Sequence, residues 1–252
     1  MSNFEPLYWD TSWNPIVGCA AKPICAGCQN CWALRMARRL AVSVPKKYKG
    51  LVCKDGWTGK IAVAPHEMNR PIGWRKPRRV AVCYMADIAL AEAWNIYEVI
   101  MRMRMCRDST FMMLTKRPKL LYQKLRGIRN WGPSCDKTIT GLPNVWWGVS
   151  VCESNERPRV LALEAIGKLL ITTNLYASVE PMIEPINPGV WMDNLRWIII
   201  GGETGSGKRL FPVESARVLV GDAVNHGIPV WMKGTAESWG GKEKEMRREV
   251  PK

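Results

Sequence analysis

Cys19, Cys25, Cys28 and Cys31 fall within thirteen residues of one another, and thiolates this close in sequence can converge on one metal centre. Structural zinc commonly takes two close pairs separated by about a dozen residues or more, whereas here one loop holds all four. A cubane iron–sulfur cluster takes three or four thiolates from a loop that curls around it. Both Cys25-x2-Cys28-x2-Cys31 and Cys19 with Cys28 and Cys31 permit that arrangement. The residues alone therefore favour iron–sulfur over zinc and leave Cys19 and Cys25 as rivals for the third ligand. Trp32 follows Cys31 directly and could stack on a ligand at the metal.

A second chemical signal is Gly201-Gly202-Glu203-Thr204-Gly205-Ser206-Gly207-Lys208, a Gly-x4-Gly-Lys that mimics a phosphate-binding loop. The mimicry fails at Arg209, where a Ser or Thr hydroxyl should reach magnesium. The glycines could instead let a ligand approach the backbone at Gly201 and Gly202, with Glu203 taking an ammonium group. The two histidines, His66 and His226, read as surface or capping residues, and no nucleophile–histidine–acid set can be assembled from them. Most of the thirteen tryptophans read as core.

These groups need a scaffold, and the apolar runs supply one. Val80–Met85, Phe111–Leu114, Val145–Val149, Leu175–Val179, Trp197–Ile200 and Ile228–Met232 are short and without alternation, as in parallel strands buried on both faces. Between them lie segments such as Ala89–Met105 and Pro212–Asn225 with apolar residues three and four apart, so the order reads as βαβ units. Each run ends in a chemically capable group: Asp87, Thr115-Lys116-Arg117, Ser150, Glu180, Glu203 and Lys233. A (β/α) barrel gathers its site at such strand ends. Residues 46–79, rich in Gly, Pro and basic side chains, read as an insertion, and the tail after about 240 as solvated. The whole of 1–252 is expected to be one domain.

The formal net charge is +15, with clusters at Arg35, Arg38 and Arg39, at Lys46, Lys47 and Lys49, at Arg75, Lys76, Arg78 and Arg79, and at Arg102, Arg104 and Arg107. Such an excess points to a polyanion, with nucleic acid as the favoured partner. No run of apolar residues is long enough to span a bilayer, and Met1–Pro6 lacks the pattern of a signal peptide. Nine cysteines then read as reduced thiols plus a metal site in a cytoplasmic protein.

Taken in order, several stretches resemble a phage-borne family of cysteine-rich proteins, formerly of unknown function, that is itself similar to radical S-adenosylmethionine enzymes. They are Trp9–Cys19, Cys28–Ala33, Leu114–Pro118, Gly148–Val151, Ser178–Ile186 and Ile200–Gly205, and they span about Tyr8 to Trp239. The resemblance implies a partial (β/α) barrel of about six parallel strands holding a [4Fe-4S] cluster by Cys19, Cys28 and Cys31. One iron would then be open to S-adenosylmethionine, whose reductive cleavage yields a radical able to abstract hydrogen. Two features depart from the commoner pattern: eight residues separate Cys19 from Cys28, and Cys25 is an extra thiol between them.

On this reading Trp32, Asp87, Ser150, Glu180, Gly201, Gly202 and Glu203 bind the cofactor, and Lys116, Arg117 and Lys233 hold the substrate. The implied activity is modification of a nucleic-acid base, as a rearrangement step in phage thymidine hypermodification, in the host cytoplasm. DNA is the substrate and an electron donor such as flavodoxin the partner. The competing expectations are a pyrimidine-lesion repair lyase and a non-catalytic DNA-binding protein with zinc or a cluster.

Overall fold

The computed structural model describes residues 7–187, 192–235, 237–241 and 245–251. Met1–Pro6 and Lys242–Lys244, on which the expectations about the start and tail of the chain partly rested, lie outside the described residues. The chain opens with β1 (Thr11–Trp13) and β2 (Ile16–Val17), passes through the cysteine loop, and enters α1 (Trp32–Ser43) and α2 (Pro45–Tyr48). After β3 (Ala62–Val63) and α3 (Pro65–Met68) the repeating pattern begins with β4 (Arg79–Val82) and α4 (Ala93–Met105). It continues through β5 (Thr110–Thr115), α5 (Pro118–Arg129), α6 (Pro133–Ile139), β6 (Val145–Ser150) and α7 (Arg157–Leu170). Then come β7 (Leu175–Val179), β8 (Trp197–Ile200), α8 (Val213–Asn225) and β9 (Val230–Met232).

Seven strands form one parallel sheet in the order β1-β4-β5-β6-β7-β8-β9, curled into a half-barrel. The six apolar runs supply β4 to β9, and the seventh strand, β1, pairs Thr11–Trp13 with Val80–Val82. The period-two geometry of a strand sends neighbouring side chains to opposite faces. Phe111, Met113, Val145, Trp147, Ala177, Val179, Ile198 and Ile200 face one way into the main core with α4, α5, α7 and α8. Met112, Trp146, Tyr176, Trp197, Ile199 and Trp231 face the other way and pack with Tyr8 in an aromatic cluster. Both faces are dry, which is why the runs lack polar alternation.

One glycine makes that second face possible. A Cβ on Gly148 would lie 2.2 Å from the Tyr176 ring, so the bare backbone of β6 is where the tyrosine fits. Tyr176 there donates to the Met113 carbonyl at 3.0 Å and meets the Tyr84 hydroxyl at 3.0 Å.

The basic segment 46–79 is structured rather than a plain excursion. Tyr48, Leu51 and Trp57 pack with Val17, Ala33, Ala37 and Met85 into a small separate core, and β3 pairs antiparallel with β2. The segment therefore holds α1, and with it the cysteine loop, against the sheet. The last described stretch likewise is not loose. Met232 donates to the Arg247 carbonyl at 2.7 Å and Glu249 to the Val230 carbonyl at 2.9 Å, so the chain covers the β9 edge. Trp197 Nε1 adds a bond to the Glu249 carbonyl at 2.9 Å. No helix of the described residues is long and apolar enough to cross a membrane.

Candidate functional site

The groups predicted at strand ends do gather along the C-terminal edge of the half-barrel, and most of them satisfy one another. Asp87, just beyond β4, accepts from Thr115 Oγ1 at 2.6 Å, Arg117 Nη1 at 2.8 Å, Lys116 N at 3.2 Å and Ala89 N at 3.3 Å. Its carboxylate is thereby saturated, and it serves to fix the β5 end rather than to offer a free acceptor. Lys116 reaches across to Ser150 Oγ at 2.6 Å and to Cys152 Sγ at 3.4 Å. Ser150 in turn donates to the Glu180 carbonyl at 3.2 Å. Glu180 and Lys233 form an ion pair from β7 to β9, with the ammonium 6.0 Å from the Trp9 ring centroid.

The cysteine loop lies over this edge, and the glycine-rich loop after β8 clamps it there. Glu203 accepts from Asn30 Nδ2 at 2.9 Å and from Arg209 N at 2.9 Å and Nε at 3.1 Å. Arg209 also donates to the Ala26 carbonyl at 2.8 Å and to Gln29 Oε1 at 3.3 Å. The Glu203 side chain is only 3 % exposed, and the Arg209 guanidinium beside it holds its carboxyl down at about 2. The residue that spoils the phosphate-loop pattern is thus the one that ties the two loops together. Gly201 and Gly202 leave room for protein rather than ligand: a Cβ at either would press at 3.0 Å on Lys233 or on Phe211.

Within the loop the thiols separate into two groups. Cys19 lies close enough to Asp87, Arg117 and Cys31 for their charges to be felt. Burial, with Asp87 nearby, pushes the Cys19 thiol up. Cys25 and Cys28 have their sulfurs 3.4 Å apart, and the Cys152 thiol, two residues beyond β6, lies close enough for its influence on Cys25 to be felt. Cys152 and Cys28, together with the Lys116 ammonium, hold Cys25 below the ordinary thiol value, whereas Cys25 and burial push Cys28 and Cys152 up against the opposing pull of Lys116. Lys116 itself is lowered by burial but raised more by the Cys152, Cys25 and Cys28 sulfurs, and stays above the usual lysine value.

A Cβ on Gly27 would sit 2.4 Å from Cys152 Sγ, so the bare backbone there lets the cysteine loop approach the end of β6. Trp32, the first residue of α1, is 42 % exposed. Cys152, Asn30 and Arg209 are the site residues that sequence reasoning missed. Asn30 meets Glu203 across 173 residues, Arg209 meets the Ala26 carbonyl across 183 and Cys152 meets Lys116 across 36, so no local spacing marks these contacts, although Arg209 also bonds Glu203 six residues away.

All nine cysteines are free thiols. The loop fits a cluster by donor chemistry: Cys19, Cys28 and Cys31 are half-buried, reduced and carried on one stretch of chain, with Arg117 and Lys116 beside them to offset thiolate charge. Their spacing does not match the chemistry, because among the described residues no group of three His, Cys, Asp or Glu side chains is gathered to hold a metal ion. His66, on α3, and His226, beyond α8, take no part in the site.

Comparison with curated proteins gives no match, and comparison with solved structures gives none either. A family model does match, over residues 5–252, nearly the whole of the chain. The chain belongs to the family described as "Protein of unknown function (DUF5131)".

Proposed function

We propose that this protein is a radical S-adenosylmethionine enzyme that modifies a nucleic-acid base, with a rearrangement step in phage thymidine hypermodification as its reaction. The observation that carries the reading is the seating of a four-cysteine loop over the C-terminal edge of a parallel half-barrel, where each strand from β4 to β9 ends in a polar or charged group. The ordered sequence resemblance and the +15 charge support it independently.

Cys19, Cys28 and Cys31 would hold the [4Fe-4S] cluster, which with S-adenosylmethionine supplies a carbon radical capable of abstracting hydrogen. The chain's own groups then have binding and orienting roles. The Glu180–Lys233 pair offers both signs of charge beside Trp9, which suits the ammonium and carboxylate of a methionine moiety. Asp87 orients Arg117 toward Cys19, and Ser150 orients Lys116. Glu203 acts through Arg209 and Asn30 to keep the loop seated. Trp32, exposed at the start of α1, would stack on the adenine or on the substrate base.

The test is anaerobic reconstitution with iron and sulfide, followed by dithionite, S-adenosylmethionine and candidate DNA. 5′-Deoxyadenosine should form, and its absence from protein with an intact cluster would sink the reading. Cys28→Ala and Cys31→Ala should each lose cluster iron and the brown absorbance, whereas Cys25→Ala should keep both. Nucleoside mass spectrometry of DNA made with and without the protein separates hypermodification from lesion repair.

A further inference from the structure

We propose that Trp94, Tyr97 and Trp131 form a stacking site for the unpaired bases of single-stranded nucleic acid. The site lies on the helical layer, and neither a cluster nor radical chemistry is needed for it.

The core does not account for these rings. α4 buries Ile96, Val99, Ile100 and Met103, a stripe at three- and four-residue spacing. With about 3.6 residues per turn, Trp94 and Tyr97 fall outside that stripe. Trp131, in the link between α5 and α6, meets them where α4 packs on both helices. The Trp94 and Trp131 ring centroids are 6.1 Å apart with their planes 30° from parallel. Tyr97 lies 5.6 Å from Trp94 and 5.9 Å from Trp131. Yet Trp94 is 58 % exposed and Trp131 46 %. Tying the link to α4 uses part of each indole and leaves the rest in water. Isolated apolar side chains are ordinary on a protein surface, but three aromatic rings in mutual contact make a patch.

The charge of the same helices selects the occupant. α4, α5 and α6 carry seven Lys or Arg and two acidic residues, Glu98 and Asp136. Both acids are already paired, with Arg102 and Arg129. Arg104, Lys119, Lys124, Arg126 and Lys137 are left without a carboxylate partner among the described residues. Lys124 donates to the Ala91 carbonyl, which brings its ammonium to the start of α4, where Trp94 stands. Just outside that helix, Glu92 and Asp108 are offset in part by Arg107. A second copy of the chain would set like charges against one another here, and a duplex keeps its base faces inside its own stack. A single strand offers phosphates and open base faces together, and every base has a π-face for an aromatic ring.

The test is fluorescence anisotropy of the full chain with a labelled single strand of about twelve nucleotides, its duplex, and an abasic strand of the same length. Trp94→Ala with Trp131→Ala should weaken binding of the natural single strand by about 5–150-fold, the worth of one stacked base, and leave duplex affinity as it was. The salt slope for the single strand should not change, since no phosphate contact is removed. The abasic strand should bind wild type and the double variant alike, and Trp94→Phe with Trp131→Phe should keep most of the single-strand affinity. An abasic strand that binds wild type as tightly as the natural one would overturn the proposal, even where the double variant fails to fold. Unchanged single-strand affinity in the double variant, or an equal loss for strand and duplex, would overturn it as well. A dimer in sedimentation that the double variant dissolves would give the face to a second copy and overturn it too.

Discussion

Arg209 ties the glycine-rich loop to the cysteine loop: one guanidinium holds Glu203, the Ala26 carbonyl and Gln29. Removing it leaves a carboxylate that is 3 % exposed without its cation. Breaking a fully buried pair costs roughly 3–5 kcal/mol, and because Arg209 is itself 30 % exposed the expected cost of Arg209→Ala is about 2 kcal/mol. For a chain of this size that lowers the thermal midpoint by about 4–8 °C. The pH dependence follows from the direction of the Glu203 shift. Its folded value, about 2, lies below its ordinary 4.5, so the pair's stabilisation is full above about pH 4.5 and is lost as pH falls through about 2. The gap in thermal midpoint between wild type and Arg209→Ala should therefore be widest near pH 6 and narrow toward pH 2.5. A gap that stays constant over that range would remove Arg209 from the role assigned to it.

At the level of elements, the strands show what the sequence could and could not reveal. β4 to β9 were legible because a strand buried on both faces leaves an unbroken apolar run, and Val145–Ser150 is buried along its whole length. β1 was not, because Thr11-Ser12-Trp13 is three residues long and carries two hydroxyls; its strand character comes from pairing with β4. The polar groups after each strand were legible as a set, since a parallel sheet brings its strand ends to one edge. Their pairings were not, because Glu180 with Lys233 and Lys116 with Ser150 are fixed by the curl of the sheet. Gly148 lies between these cases: its strand was readable, but not the tyrosine packed over it. Gly148→Ala puts a methyl 2.2 Å from the Tyr176 ring inside a dry cluster. Overpacking of this kind costs about 1–3 kcal/mol, so the midpoint should drop by roughly 2–12 °C in a calorimetric scan. An unchanged midpoint would mean that the aromatic face can shift to admit the methyl, contrary to the packing described.

For the molecule as a whole, the charge is unevenly placed, and that decides where a polyanion would sit. Residues 32–63 carry eight Lys or Arg and one Asp, so 8 − 1 = 7 of the net +15 lies in about one-eighth of the chain. That stretch is α1, α2 and the segment to β3, packed on the small core that backs the cysteine loop. Arg38, Arg39, Lys46, Lys49, Lys54 and Lys60 are exposed there, with Asp55 as the single acidic residue. DNA that brings a base to the loop would cross this basic surface, releasing counterions as phosphates meet the cations. Six such contacts give a log–log salt slope of roughly −5, from about −0.9 per phosphate. Replacing Arg38, Lys46 and Lys49 by Gln should then weaken binding uniformly across sequences and flatten the slope to about −3. The same three-charge loss at Arg75, Lys76 and Arg78, beyond that unit, should lower affinity less and leave the slope near −5. Fluorescence anisotropy with a labelled duplex across a salt series distinguishes them, since net charge falls equally in both variants. Equal slopes in the two would mean that the +15 acts as a diffuse field, and that the surface beside the cysteine loop is not the one DNA crosses.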